Sequence, residues 1–150
     1  MPRLTSDDVA CWVVKTSLPP ADLVAGWRPG GEQQLTRCLR ESYRLDLMGP
    51  GQPCLLWLSG RDRPGVHALG TLTGPPGRDA DGPVVAVRLT LLREPVDRAD
   101  LIADPTARDA EVLRMPAGSN PSWLSTAQFD AVLARVQAGE RARGLGTWGR

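Results

Sequence analysis

Cys54-Leu55-Leu56-Trp57-Leu58-Ser59 is an unbroken apolar run of strand length, entered through the turn-forming stretch Gly49-Pro50-Gly51-Gln52-Pro53. Residues 60–65, rich in charge and bracketed by glycines, read as a hairpin loop. Val66-His67-Ala68-Leu69-Gly70-Thr71-Leu72-Thr73 then returns as the next strand. A polar loop over 74–83 is predicted to be the most flexible internal segment. It leads into the longest strand, Val84 to Leu92, with Arg88 and Thr90 on its outer face and Pro95 expected to end it. These three strands read as an antiparallel meander. Working outward, Cys11-Trp12-Val13-Val14-Lys15 is a fourth strand, distant in sequence and predicted to close the sheet.

Between the strands the local signals predict short helices at 21–25, 42–48, 98–103 and 109–113. A longer helix begins where Ser125 and Gln128 form a capping box, carries the stripe Phe129, Val132, Leu133 and Val136, and is expected to end at Gly139. The elements do not alternate as βαβ, and neither G-x-G-x-x-G nor G-x-x-x-x-G-K-[ST] occurs. The predicted fold is therefore α+β: a strongly bent, mainly antiparallel sheet or open β-barrel flanked by short helices. Residues 1–10 form an N-terminal segment and 11–138 one domain. Residues 139–150, with Trp148, form a Gly/Arg-rich tail expected to be flexible.

Composition narrows the function. At 150 residues the chain is of one-domain length. A net charge of +1 argues against a strongly basic coat protein and against an acidic disordered chain. No run of apolar residues is long enough to span a membrane. The opening MPRLTSDDVA lacks a signal-peptide pattern, so the expected compartment is the cytoplasm. The basic residues are 17 Arg and one Lys, as in a GC-rich genome, and five of the seven aromatic residues are Trp.

Catalytic readings lack parts. The one histidine, His67, falls inside a strand, there is no G-x-S-x-G elbow, and the acidic residues fall in loops and on helix surfaces. Three cysteines without a C-x-x-C pair make no zinc site with one histidine, and Cys38 is a weak nucleophile candidate beside Arg37 and Arg40. No metal or cofactor is expected. What recurs instead is Trp beside small polar residues at element ends. Examples are Trp12 with Lys15-Thr16-Ser17, Trp27 in a Gly-rich loop, Tyr43 beside Ser42, Trp57 with Ser59, and Trp123 with Ser119-Asn120. Aromatic faces with hydroxyls and amides suit a planar heterocycle, although any of these tryptophans can equally be ordinary core. Arg28, Arg37, Arg40 and Arg44 fall close together and are candidates for contacting a nucleic-acid backbone.

Several stretches resemble the EVE domain family. CWVVKTS from Cys11 is similar to the first strand of those domains. SYRLDLMGPGQPCLLWLSG followed by PGVHALGTLTG is similar to their short helix, apolar strand, charged hairpin and return strand. RMPAGSNPSWLSTAQFDAV is similar to their C-terminal pattern. The resemblance spans residues 10–136. It implies a PUA-like bent barrel, related to the YTH domains that hold a methylated adenine in an aromatic cage, and a non-catalytic module for a modified base in DNA or RNA.

By position it implies that Lys15, Thr16 and Ser17 hydrogen-bond the base, that Trp27 stacks on it, and that Ser59 lies beneath the pocket. Trp27 is accordingly expected in an exposed loop, with little role in stability. The full expected pocket is Trp12, Lys15, Thr16, Ser17, Trp27, Tyr43, Trp57, Ser59, Ser119, Asn120 and Trp123. The chain departs from the family at Arg40-Glu41-Ser42-Tyr43-Arg44, which keeps only part of an Arg-Asn-Tyr-Gln-Ala-Arg-Asn stretch, and at Val84, where a second cage Trp would fall. The alternatives are a small enzyme acting on a nucleotide-like heterocycle and a protein-interaction domain with a vestigial pocket.

Overall fold

The apolar runs do become strands. A computed structural model describes residues 3–142. Tail residues from 143 on, Trp148 among them, lie outside the described residues. Seven strands form one sheet: β1 Cys11–Thr16, β2 Glu32–Cys38, β3 Pro53–Leu58, β4 Gly65–Leu72, β5 Gly77–Asp79, β6 Gly82–Asp97 and β7 Ser122–Leu124. Their order is β2-β6-β4-β3-β1-β7, with β5 paired to the start of β6. Every pairing is antiparallel except β1 with β3, which is parallel in the register Trp12↔Cys54 to Thr16↔Leu58.

The sheet bends because two pairings slip. The β3–β4 register shifts between Leu56 and Trp57, and the β4–β6 register shifts between Val66 and Ala68. Each irregularity kinks a strand and sharpens its twist. Pro95 stands in the second irregularity, between the pairs Ala68↔Leu91 and Val66↔Val96. No ladder bond is required of its nitrogen there, so β6 runs through it to Asp97 and does not end at it. Gly70 lets β4 and β6 close together, since a Cβ there would lie 1.7 Å from the Arg88 carbonyl oxygen.

Other expectations also change. The 74–83 loop contains β5, which folds back on Gly82–Val84 as a tight hairpin. Glu32–Cys38, a polar edge strand, carries no apolar run that would announce it. Residues Tyr43–Leu47 form a 3₁₀ turn, capped where the Ser42 hydroxyl accepts from Arg44 N. The helices are α1 Pro20–Leu23, α2 Arg98–Ala103, α3 Glu111–Arg114 and α4 Thr126–Ala142. The capping box is made: Ser125 N donates to Gln128 Oε1 and Gln128 N to Ser125 Oγ. Helix α4 continues past Gly139 to Ala142, at the modest cost of about 1 kcal/mol that an interior glycine carries.

Strand β1 is buried on both faces. Cys11 and Val13 join one apolar cluster, with Leu55, Trp57 and the α4 residues Phe129, Val132, Leu133 and Val136. Trp12 and Val14 join the other, with Leu56, Val87, Leu89, Trp27, Leu39 and Met48. The chain comes to the surface at Lys15, where the two clusters end.

Candidate functional site

The end of β1 sets the site. Beyond Val14 the strand alternates out of the core: Lys15 is half-buried, the Thr16 side chain turns inward and Ser17 is exposed. The Thr16 hydroxyl accepts from Leu18 N at 3.0 Å and donates to Leu18 O at 3.1 Å, which fixes the turn that presents Ser17. The parallel neighbour β3 ends beside it, where Ser59 N donates to Thr16 O at 2.9 Å.

Asn120 fastens a third segment to this place. Its Oδ1 accepts from Lys15 N at 3.2 Å, its Nδ2 donates to Cys38 O at 3.1 Å, and its carbonyl accepts from Arg40 N at 2.8 Å. The peptide between Asn120 and Pro121 is cis. The sheet thus curls until the chain leaving β2 meets the loop entering β7. Asn120, not a strand ladder, makes that seam.

A recess of about 210 Å³ opens over the seam. Lys15, Thr16, Ser17, Arg40, Ser59 and Asn120 line it, with Pro116, Ala117 and Gly118 as its far wall. The Lys15 ammonium donates to Pro116 O at 3.1 Å, and Arg40 Nη1 reaches Gly118 O at 3.4 Å. Burial pulls the Lys15 ammonium below the ordinary lysine value. Glu111 opposes this, and the charges of Arg40 and Arg44 add to it.

The structure thus brings Lys15, Thr16, Ser17, Ser59 and Asn120 together, and it leaves the aromatic candidates out. Trp12 is wholly buried, and its indole N–H donates to Gln52 Oε1 at 2.8 Å. Trp27 is only 6% exposed, and its N–H donates to Gly31 O at 2.9 Å. The Gly-rich loop folds back on the core and carries Trp27 inward as a plug, because an indole of that area gains more from burial than from a solvated loop position. Trp57 is buried in the α4-side cluster. Trp123 is half-buried opposite Trp12 in the β1–β7 register. Tyr43 is covered by the N-terminal segment: its hydroxyl accepts from Leu4 N, and the Arg3 guanidinium sits 3.9 Å from its ring centroid. Ser119 is half-buried in the same loop as Asn120 but does not line the recess.

The arginines divide as well. Arg40 is exposed on the rim. Arg44 is bound on both sides of its guanidinium to Glu111, at 2.8 and 2.7 Å, and also donates to Pro121 O. It is therefore a structural ion pair and not a free phosphate contact. Its hydrogen bonds hold the Glu111 carboxyl below the ordinary glutamate value, helped by the Ser122 hydroxyl. Arg37 is half-buried on the inward-facing side of β2 with its Nε enclosed, and Arg28 stands in the Trp27 loop, outside the recess lining. Sequence reasoning missed Glu111, whose partner is 67 residues away, and the wall residues Pro116 and Ala117, whose only signal is their place just before Gly118-Ser119-Asn120.

A larger hollow of about 480 Å³ lies between Glu41–Met48 and the β5 hairpin. Its walls include Pro75, Pro76 and Pro83, and its Glu41 and Arg78 pair with each other. Asp46 adds an acid to that pair, whereas the smaller recess holds two cations and no acid. The chemistry favours the recess. Among the described residues no group of His, Cys, Asp and Glu is placed to hold a metal ion, and no helix is long and apolar enough to cross a membrane.

No protein-family profile matches the chain, and no curated protein does. Solved structures do. A hypothetical protein from Leishmania major aligns at TM-score 0.65 and 14% identity, over 89% of this chain and 98% of its own. The DUF55 domain of human thymocyte nuclear protein 1 aligns at TM-score 0.60 and 19% identity, over 84% and 98%. Human THYN1 protein in complex with 5-methylcytosine-containing DNA aligns at TM-score 0.57 and 16% identity, over 85% and 97%. The chain shares the fold of these domains, an α+β fold built on a sheet that is bent but not closed.

Proposed function

We propose that this chain is an EVE-type, PUA-like domain serving as a non-catalytic nucleic-acid-binding module, and that the recess at the seam takes a base of DNA or RNA, modified bases included. The observation that carries this reading is the convergence of Lys15, Ser17, Ser59 and Arg40 on one recess lined by no carboxylate, imidazole or thiol. Such a lining can bind and orient a ligand, and Lys15 is its one group suited to proton transfer. The fold neighbour held with 5-methylcytosine-containing DNA supports a nucleic-acid partner. With Trp27 buried, recognition rests on hydrogen bonds to the base edge and charge on the phosphate, not on an aromatic cage.

The test is fluorescence anisotropy with single-stranded and duplex oligonucleotides, DNA and RNA, each with and without a modified base, at two salt concentrations. Lys15→Met is expected to weaken the best ligand by about tenfold or more, the scale of one hydrogen bond from a charged group, and to flatten its salt dependence. The melting temperature should stay put, since the bond between Lys15 N and Asn120 is retained. Absence of binding by the unaltered protein across the whole panel would remove this reading.

A further inference from the structure

The hydrogen-bonding capacity of the recess is one-sided. The Thr16 hydroxyl is engaged twice by Leu18, and the Asn120 amide is engaged by Lys15 N and Cys38 O. The carbonyls of Pro116 and Gly118 already receive Lys15 and Arg40. What remains facing the cavity is the rest of the Lys15 ammonium, most of the Arg40 guanidinium, and the hydroxyls of Ser17 and Ser59, which have no partner among the described residues. The carboxylate whose charge reaches Lys15, that of Glu111, is closed off by Arg44 and Ser122. Donors outnumber acceptors, and two positive charges have no counter-charge in the lining. A pocket of that kind discriminates by what it leaves unpaired: a ligand edge made of N–H donors or methyl groups would strand its cations, whereas oxygen acceptors would satisfy them.

We infer that the recess holds an anionic oxygen group, a phosphate or a carboxylate, carried by the bound nucleotide. This rests on the nucleic-acid reading above and narrows it. Two sources share the chemistry: the phosphate of the nucleotide itself, or an acidic substituent on its base. In either case Lys15 and Arg40 clamp the oxygens from two sides of the seam, with Ser17 and Ser59 completing their hydrogen bonds. The desolvated state of Lys15 fits a site that is completed by an incoming negative charge.

The full chain is titrated at constant ionic strength with inorganic phosphate, 2′-deoxycytidine, its 5′-monophosphate and 5-carboxy-2′-deoxycytidine, following amide shifts by NMR and heats by calorimetry. The expected result is saturable shifts at Lys15, Ser17 and Ser59, with at least one acid-bearing nucleoside bound about tenfold or more tightly than the neutral one. Preference for the monophosphate assigns the site to phosphate, and preference for the carboxylated base assigns it to the base. Lys15→Met and Arg40→Met should each remove the preference. Arg88→Met, at a residue on β6 ion-paired with Glu32, should leave it intact. Equal affinity for neutral and acidic ligands overturns the inference, as does a preference that survives both substitutions. If that failure comes with oligonucleotide binding intact, only the anion assignment falls. Anion binding with no oligonucleotide binding instead keeps the anion site and removes the nucleic-acid reading.

Discussion

The two faces of the sheet are covered by different means. On one, α4 lays Phe129, Val132, Leu133 and Val136 against Cys11, Val13 and Leu55. On the other, irregular chain does the same work: Trp27, Leu39 and Met48 close over Trp12, Val14 and Leu56. The helix is self-supporting in its hydrogen bonds and needs only an apolar stripe. The irregular cover must have its polar groups satisfied one at a time. Gln52 shows how: it accepts from the Trp12 indole and from Gly49 N at 2.8 Å each, and donates to Leu47 O at 3.1 Å. Tryptophans on that side act as packing that needs a polar anchor, not as ligand-stacking surfaces.

If the two covers are equivalent as core, Trp27→Ala and Phe129→Ala should each lose about 3–5 kcal/mol in chemical denaturation. A Trp27→Ala loss below about 1 kcal/mol would break the comparison, because surface substitutions fall in that range. The next largest effect is expected at the ion pair that binds the 3₁₀ turn to α3. Glu111→Ala leaves the Arg44 guanidinium without its carboxylate in a largely enclosed place and should cost about 2 kcal/mol. A smaller contrast lies at the caps. Ser125→Ala opens the capping box of α4 and should cost about 1 kcal/mol. Ser42→Ala removes a single bond to Arg44 N from a short turn and should cost less.

The last effect is one of direction, read from stability against pH. His67 is buried and donates through Nε2 to Arg63 O at 2.7 Å. Desolvation holds its imidazole below the ordinary histidine value, against the pull of that carbonyl. The unfolded chain therefore binds the proton first. The contribution of His67 is complete above about pH 6.5 and declines as pH falls through its lower folded value. Glu111 behaves likewise one step further down. Its contribution is complete above about pH 4.3 and is lost below that as the carboxylate bound by Arg44 becomes protonated. His67→Gln should flatten the upper part of the acid limb and Glu111→Gln the lower part.

Legibility follows the same division. The runs at 54–59 and 66–73 are apolar over strand length and the α4 stripe is periodic, so local sequence shows which element they form and that it is buried. Strand β2 is not legible, because only alternate residues of a polar edge touch the core and its partner β6 supplies the apolar surface. Trp27 was misplaced for a related reason: Gly and Pro mark a loop, but nothing local tells a solvated loop from one folded back on the sheet. The recess was partly legible, in the polar residues that follow β1 and β3. The fate of Arg44 was not, since the carboxylate that claims it arrives from another part of the chain.

Asn120 ties the end of β1 to the chain beyond β2 with three hydrogen bonds and no ladder. The seam is therefore expected to open at a lower free energy than the long ladders beside it, with its amides exchanging by local opening before those of the core. The ligand proposed between Lys15 and Arg40 would bridge that same gap and work as a rivet. The amide protons of these two residues would then be its clock, their deuterium uptake expected to slow as the recess fills.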